Sequence, residues 1–401
     1  MRSITLLSAA LLCVLQSECS KTIPELKKEI LDQILPKNEN EIMIAPGNLT
    51  SDCTVVESTL YVLNIDDINE NKGEISLRLY FRQYWKDYRL KYVQNSLFEY
   101  ILINNEEAIW TPDTFFVNEK KGRSFEALRP NLLIRIFPDG SVIYSKKLSV
   151  TLECPMDFDK YPFDRQVCNL RLESYGNTID NLKLKWKTES NPVGVYSENP
   201  VPVFQLQKFV SSYGMVELQK NYSFLAVDFY FSRGLSYSIY NIYLPSIVMV
   251  FISWLPFWIN KKLITSRLLI SMGALLSFIM ILCRFSERQP QSQYSSSMLS
   301  FTATCASFLI LSLVLSVLLH IFDKDVEDPI KIVESGKLNE NGGKKMKLNI
   351  LMKKLPCKES WLEFGARFIV PFVFGLFCVI YFVSWGALSA DEPITVPMTK
   401  S

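Results

Sequence analysis

Two cysteines, Cys154 and Cys168, bracket a short segment that reads CPMDFDKYPFDRQVC. Two thiols at this separation can close a disulfide loop, which would stabilise a secreted domain by roughly 3 kcal/mol. The apolar residues between them are Met156, Phe158, Tyr161 and Phe163. Since such residues are unusual in a solvated loop, the segment is predicted to pack against another part of the protein.

The other residues that could carry chemistry form no recognisable catalytic or metal site. The sequence has nine cysteines and one histidine, His320, and their spacing fits no zinc-binding pattern. No nucleophile with an adjacent base and no phosphate-binding loop indicates an enzyme. The net charge of +2 gives no indication of nucleic-acid binding. We therefore predict a protein without catalytic residues, metal or cofactor.

The chain begins with the pattern of a secretory signal peptide over residues 1–19. Arg2 precedes an apolar run from Ile4 to Leu15, and small or polar residues follow. This run is too short, and wrongly flanked, for a membrane span. Secretion would place Cys154 and Cys168 in an oxidising compartment, where disulfides persist.

Residues 20–234 are predicted to form an extracellular β-sandwich with an N-terminal helix. The helix is expected over 22–35, where apolar residues recur at helical spacing on one face. Strands are expected over 54–63, 74–85, 132–137 and 142–152. Many short strands separated by turn residues are typical of a β-sandwich.

Alternation within two of these strands predicts which side chains leave the core. Between 75 and 84, the apolar residues are the odd-numbered ones up to Phe81, so Tyr80 and Arg82 project together on the opposite face. In the strand 142–152, Leu148 and Leu152 are expected to point inward and Ser145 outward. From the residues alone, these outward side chains most simply indicate a solvated face.

Four apolar segments are each close to the ~20 residues that cross a bilayer. They are residues 237–258, 268–283, 298–322 and 368–388. We predict transmembrane helices within 235–322 and 367–390, a cytoplasmic loop over 323–366 and an extracellular tail over 391–401. The lysine-rich stretch from Lys344 to Lys358 fits a cytoplasmic location. The fold class is thus an all-β ectodomain followed by an all-α, four-helix transmembrane domain.

The cysteine segment resembles the Cys-loop of pentameric ligand-gated ion channels. Its pattern is Cys-x-Met-x-Phe-x-x-Tyr-Pro-x-Asp-x-x-x-Cys, with every fixed position filled. Four further stretches are similar to the inhibitory branch, the GABA-, glycine- and glutamate-gated chloride channels: residues 80–91, 110–116, 173–178 and 253–260. The resemblance implies a Cys154–Cys168 disulfide and an immunoglobulin-like ectodomain. It also implies a homo- or hetero-pentamer in the plasma membrane, with a postsynaptic location.

The resemblance implies a site for a small-molecule neurotransmitter between neighbouring subunits. The residues it assigns to the principal face are Phe115, Glu173, Tyr175 and Tyr222, and those assigned to the complementary face are Tyr80, Arg82 and Ser145. An aromatic box beside a carboxylate can hold an ammonium group. An arginine can bind a carboxylate. A zwitterion such as GABA or glycine would use both groups.

Several positions depart from the family pattern near this site. Asn177 stands where a second aromatic residue is usual. Gly214 and Phe224 stand where glycine- and glutamate-type relatives have a second disulfide. Asn221 begins a glycosylation sequon inside the expected binding flap, and Asn48 begins a more ordinary one.

The second span would line the pore and carry the selectivity charge. The residues matching the pore face are Leu269, Gly273, Leu276, Met280 and Cys283. Arg267 matches the arginine that anion-selective relatives place at the cytoplasmic mouth, which favours chloride. The residues that the resemblance assigns to coupling between the domains are Tyr161, Pro162, Phe163, Asp164, Arg233, Pro290 and Tyr294.

Two alternatives to a homomeric amino-acid-gated channel stay open. Biogenic amines and acetylcholine gate other relatives of this family. The apolar pore lining also favours a subunit that works only in hetero-pentamers, since relatives usually have hydroxyl residues where Gly273 stands.

Overall fold

The computed structural model describes residues 22–36, 38–49, 52–94, 97–125, 129–188, 191–196, 203–217, 219–259, 263–286, 297–335 and 364–391. The predicted signal peptide, most of the predicted cytoplasmic loop and the residues after 391 lie outside this described part. So do two residues assigned to coupling, Pro290 and Tyr294.

The N-terminal helix α1 (Ile23–Ile34) lies where its apolar stripe predicts it, and a short helix α2 (Glu39–Met43) follows. Thr22 is the N-cap of α1, and its N–H donates to the Glu25 carboxylate at 3.0 Å. This satisfies one of the backbone donors that a helix start leaves open. Ile34 of the predicted stripe packs against the β core, together with Leu31 and Leu35 beside it, whereas Ile23 of the stripe is exposed.

Twelve strands lie in the described part of the ectodomain. They are β1 (Thr54–Asn69), β2 (Glu74–Lys86), β3 (Ile101–Ile103), β4 (Thr114–Phe116), β5 (Glu119–Ser124), β6 (Leu132–Ile136), β7 (Ser141–Glu153), β8 (Arg165–Ser174), β9 (Leu182–Trp186), β10 (Val193–Val195), β11 (Phe204–Glu217) and β12 (Asn221–Arg233). An eight-stranded sheet has the order β10-β1-β2-β7-β6-β3, with β5 on β7 and β9 on β1. A four-stranded sheet has the order β11-β12-β8-β4.

The two sheets form the predicted sandwich, and burial confirms the predicted alternation in β2. Ile75, Leu77 and Leu79 are fully buried in the core, whereas Arg82 is exposed. Gln83 is the polar residue on the inward face, and its amide donates to the Thr114 hydroxyl at 3.1 Å. This bond links β2 of the large sheet with β4 of the small one, so it fixes the two sheets relative to each other.

Four helices in the described residues are long and apolar enough to cross a membrane. They are α3 (Ser236–Trp258), α4 (Ile264–Ser286), α5 (Ser297–Ser335) and α6 (Val370–Asp391), the last preceded by a π-helical turn. Helix α5 continues past the predicted end of its span at residue 322, into the segment predicted as cytoplasmic loop. Tyr243, Phe301 and Tyr381 pack together, with the Tyr243 and Phe301 rings 4.8 Å apart.

The disulfide between Cys154 and Cys168 is present, with both cysteines buried in the sandwich core. Replacing both by serine should lower the free energy of unfolding by roughly 3 kcal/mol, because the closed loop no longer restricts the unfolded chain. Peptide mapping without reduction should recover the two peptides linked. The control is Cys53→Ser, because Cys53 is half-buried and forms no disulfide. Equal thermal unfolding temperatures for the double variant and the control would contradict this account.

Candidate functional site

The four residues expected on the principal face lie together on the four-stranded sheet. Phe115 is on β4 and pairs with Glu173 on β8, and Glu173 pairs on its other side with Phe224 of β12. The ring of Tyr175 meets that of Phe115 edge-on, with centroids 5.6 Å apart. Tyr222 precedes Phe224 by two residues, so both face the same way. Aromatic rings thus surround a carboxylate at this end of the sheet.

Arg171 is a member of this face that the sequence reasoning missed. Its Nε donates to Glu173 Oε1 at 2.6 Å, and its guanidinium lies 4.4 Å from the Phe224 ring centroid. The two charged residues are two apart on β8, which puts their side chains on the same face. That spacing was the signal that could have identified the pair.

Asp113 holds the loop that carries Tyr175. Its carboxylate accepts from the Ser174 hydroxyl and from the Gly176 N–H, each at 2.7 Å. Burial opposes the charge of Asp113, but hydrogen bonds from Ser174, Asn177 and Gly176 outweigh it and lower the pKa. A lowered pKa gives stability that is full at neutral pH and is lost only as pH falls below the ordinary aspartate range.

The complementary residues lie on the other sheet, where Arg82 is exposed, Tyr80 is half-buried and Ser145, expected to point outward, is buried at 7% exposure. Arg82 on β2 pairs directly with Ser145 on β7, and Tyr80 pairs with Lys147. The Arg82 guanidinium is 5.9 Å from the Tyr80 ring centroid. The structure therefore brings Tyr80, Arg82 and Ser145 together, but within one protomer they lie on a different sheet from the aromatic group around Glu173.

The departures from the family pattern have local explanations. Gly214 pairs directly with Phe224, and a Cβ at Gly214 would lie 3.0 Å from the Phe224 ring, so the ring occupies the space beside the glycine. The Asn177 N–H donates to the Ser174 hydroxyl at 3.0 Å. Asn221 is exposed at the start of β12, whereas the burial of Asn48 lies outside the described part.

Arg233, at the end of β12 and just before α3, is buried between two carboxylates of the ectodomain. Its Nε donates to Asp164 Oδ1 at 2.6 Å, and its Nη1 donates to Glu70 Oε1 at 2.8 Å. Burial opposes the charge of Arg233, but the two carboxylates outweigh it and raise the pKa. Glu70 lies far from Arg233 in sequence, and the sequence reasoning missed it.

The Cys-loop reaches from this ion cluster into the tops of the membrane helices. Tyr161 packs with Ile242, Phe285 and Met298, which belong to α3, α4 and α5. The Tyr161 carbonyl accepts from the Ser297 hydroxyl at 2.6 Å. The Tyr161–Pro162 peptide bond is cis. The Phe163 ring lies 6.4 Å from that of Tyr243. The predicted packing of this segment against another part of the protein is thus confirmed.

The predicted pore face occupies the open side of α4. All five of its residues, Leu269, Gly273, Leu276, Met280 and Cys283, are exposed in the protomer. The buried residues of α4 are Arg267, Ser271, Ala274, Phe278 and Phe285. At ~100° per residue, these buried positions fall on the opposite side of the helix. A surface of five apolar or small residues is therefore left free for contact with other copies or with a pore.

Arg267 lies with the buried group and points away from the pore face. Its side chain is 2% exposed and donates to the Ile259 carbonyl, at the end of α3. The selectivity role expected of Arg267 at the pore mouth stays a prediction.

Comparison with known proteins finds two family models. The neurotransmitter-gated ion-channel ligand binding domain matches residues 27–233, and the corresponding transmembrane region matches residues 242–331. Curated relatives include a glutamate-gated chloride channel of Drosophila melanogaster, 37% identical over 290 residues that cover 71% of this chain and 63% of that protein.

Two receptor subunits are also similar to the chain. The gamma-aminobutyric acid receptor subunit beta-4 of Gallus gallus is 30% identical, over 75% of this chain and 61% of that protein. The human subunit rho-3 is 29% identical, over 71% of this chain and 61% of that protein. The chain therefore spans less than two thirds of the length of these relatives.

Replacing Asp113 by alanine should loosen the loop at Tyr175. The change removes a charged acceptor, so the free energy of unfolding should fall by roughly 1.5–3 kcal/mol. Hydrogen exchange of the solubilised protein should show the Gly176 amide exchanging faster. Asp139→Ala is a matched control, because Asp139 accepts from Ser141 in a distant turn. Equal exchange over residues 174–177 in both variants would contradict the role of Asp113.

Proposed function

The chain belongs to the neurotransmitter-gated ion-channel family, and we propose that it is a subunit of a ligand-gated chloride channel. The family consists of channels rather than enzymes, and its members span the plasma membrane, in keeping with the four apolar helices here. The observation that carries the proposal is the presence of both halves of a ligand site in one chain. An aromatic and acidic face lies on one sheet, and the face of Arg82 lies on the other.

Subunits arranged in a ring would bring these two faces together. The group around Glu173 on one subunit would then meet Tyr80, Arg82 and Ser145 on its neighbour. Because both faces occur in this chain, a homo-pentamer is geometrically possible, and related subunits could replace some copies. Small residues and apolar residues on the free side of α4 would line the pore.

The ligand that fits these faces is a small amino acid. Arg82 lies exposed beside the Ser145 hydroxyl and could take a carboxylate in a charge-assisted bond. The rings of Phe115 and Tyr175 could hold an ammonium group. The family resemblance favoured GABA or glycine, and the relatives' names mention glutamate and gamma-aminobutyric acid. An amine or acetylcholine would leave Arg82 without an anionic partner.

Charge along the membrane domain supports chloride as the permeant ion. No Asp or Glu occurs between Asp228 and Glu287, while Arg267, Lys261 and Lys262 lie at the cytoplasmic end. Fixed positive charge near a narrow, low-dielectric mouth attracts anions and repels cations. With Arg267 turned toward Ile259, its field would reach the pore from behind the helix.

Expression of the full chain alone in oocytes tests the proposal. Amino acids applied outside should evoke a current whose reversal potential follows the chloride gradient when a large anion replaces chloride. Replacing sodium by a large cation should leave that potential unchanged. A reversal potential that follows sodium would contradict the proposal. No current alone, but a chloride current on co-expression with a related subunit, would indicate an obligate hetero-pentamer.

Replacing Arg82 by alanine should weaken an amino-acid ligand far more than an amine without a carboxylate. Only the amino acid loses a charge-assisted hydrogen bond, worth roughly 1.5–3 kcal/mol. Dose–response curves for both ligand types measure the difference. Arg78→Ala is the matched control, since Arg78 lies four residues away on the same face and pairs with Asp66. Equal losses for both ligand types would refute the role of Arg82.

Replacing Leu276 by threonine should favour the open channel. Five copies of Leu276 would form a dry ring at the middle of the pore, and a hydroxyl would help to wet it. Agonist sensitivity or resting leak should rise. Leu275 is half-buried against the neighbouring helices, so Leu275→Thr should leave the pore dry. A dose–response curve that Leu276→Thr leaves unchanged would remove Leu276 from the gate.

A further inference from the structure

We propose that the ectodomain has a second ligand site, a cavity between its two sheets that takes a small, neutral, bicyclic aromatic molecule with one hydrogen-bond donor. The site goes beyond the proposed function, because it lies inside one protomer and its binding can be measured without channel activity. The cavity encloses about 330 Å³ and is lined by β2 and β7 of the large sheet and by β4 and β8 of the small one. Exposed residues of β5 border its open side.

The deep wall of the cavity is made of rings and aliphatic side chains. Phe81 and Phe116 come from opposite sheets, and their ring centroids are 6.4 Å apart at an angle of 56°. The aliphatic residues of the wall are Leu148, Val150 and Leu172. An apolar cavity of about 150 Å³ stays dry and binds benzene. A space about twice as large, lined by tilted rings that favour edge-to-face contacts, therefore fits a bicyclic aromatic molecule.

One buried polar side chain faces the cavity with a hydrogen-bonding atom to spare. Gln83 is 2% exposed and lines the cavity, and its amide nitrogen donates to the Thr114 hydroxyl at 3.1 Å. Within the described residues, the amide oxygen of Gln83 accepts no hydrogen bond. Because bulk water hardly reaches this side chain, a hydroxyl or N–H on a bound molecule would supply the bond that the oxygen lacks.

The charged groups that line the cavity come in pairs of opposite sign, which favours a neutral ligand. The Nζ of Lys146 lies 3.1 Å from both carboxylate oxygens of Glu106. The Tyr144 hydroxyl donates to the same carboxylate at 2.7 Å. At the open side, β5 contributes one charge of each sign, Glu119 and Arg123. A charged ligand would lose its hydration on entry without meeting a net opposite charge, whereas a neutral ligand avoids that cost.

The cavity lies directly behind the principal face. Phe115 belongs to both, since it lines the cavity while its ring meets that of Tyr175 with centroids 5.6 Å apart. Thr114, the residue before it on β4, holds Gln83. A molecule in the cavity would therefore contact β4 from inside the protomer, whereas the neurotransmitter proposed above would contact the principal face from outside.

Equilibrium dialysis of the purified full chain in detergent tests the proposal with 2-naphthol and naphthalene, which differ only in one hydroxyl. The hydroxyl can donate to Gln83, so 2-naphthol should bind at least about fivefold more tightly than naphthalene. Gln83→Met removes the amide at nearly constant size, and the two affinities should then differ by less than about twofold. Equal affinities for the native chain, no saturable binding to it, or a ratio that Gln83→Met leaves unchanged would overturn the proposal.

A second variant fills the cavity. Leu148→Trp places a bicyclic ring in the space of the ligand and should abolish saturable binding of both probes. Leu102→Trp is the matched control, because Leu102 is 49% exposed on β3, so this variant should bind both probes like the native chain. Saturable binding that survives in a folded Leu148→Trp variant would overturn the proposal.

Hydrogen exchange of the native chain tests the location even if the Leu148→Trp variant fails to fold. Bound 2-naphthol should slow exchange of the backbone amides of residues 114–116, because β4 forms one wall of the cavity. Exchange there that saturating 2-naphthol leaves unchanged would overturn the proposal as well.

Discussion

A buried arginine between two carboxylates sets the geometry of the junction between the domains. Arg233 ends β12, Asp164 belongs to the Cys-loop, and Glu70 follows β1. Removing a charge from water costs several kcal/mol, and only close partners offset that cost. As long as these charges are shielded from water, the end of β12, the Cys-loop and the segment after β1 are therefore held together. Gln166 extends the network, because its amide donates to Asp164 Oδ2 at 2.7 Å. Movement of β12 would thus be transmitted to the Cys-loop.

From the Cys-loop, contacts continue into the membrane domain through a few polar atoms. The Ser297 hydroxyl donates to the Tyr161 carbonyl, and the Tyr381 hydroxyl donates to the Ser297 carbonyl at 3.0 Å. Helix α6 therefore bonds to the same residue that holds the Cys-loop. Few water molecules compete at this depth, so such bonds weigh more than they would at the surface. In the proposed channel, the ligand face and the gate would lie in different domains, and this chain of contacts would be the physical route between them.

Much of this architecture could be predicted from the sequence. Strand alternation identified the outward group of Tyr80 and Arg82, and the length of the apolar segments identified four helices. Contacts between distant residues could not be predicted. Glu70 meets Arg233 across 163 positions, and no local pattern indicates this. The burial of Arg267 depends on a carbonyl of the preceding helix. By contrast, the pairing of Arg171 with its neighbour on β8 is local and could have been read from strand parity.

The central claim, that the Arg233 cluster carries the ligand signal, is tested by a double-mutant cycle on channel opening. Arg233→Gln and Glu70→Gln are measured singly and together by dose–response curves, with Arg78→Gln and Asp66→Asn as the cycle for an exposed pair. The account predicts a coupling free energy of at least ~1.5 kcal/mol for the buried pair and below ~1 kcal/mol for the exposed pair. Additivity of the two cluster variants within ~0.5 kcal/mol would contradict it.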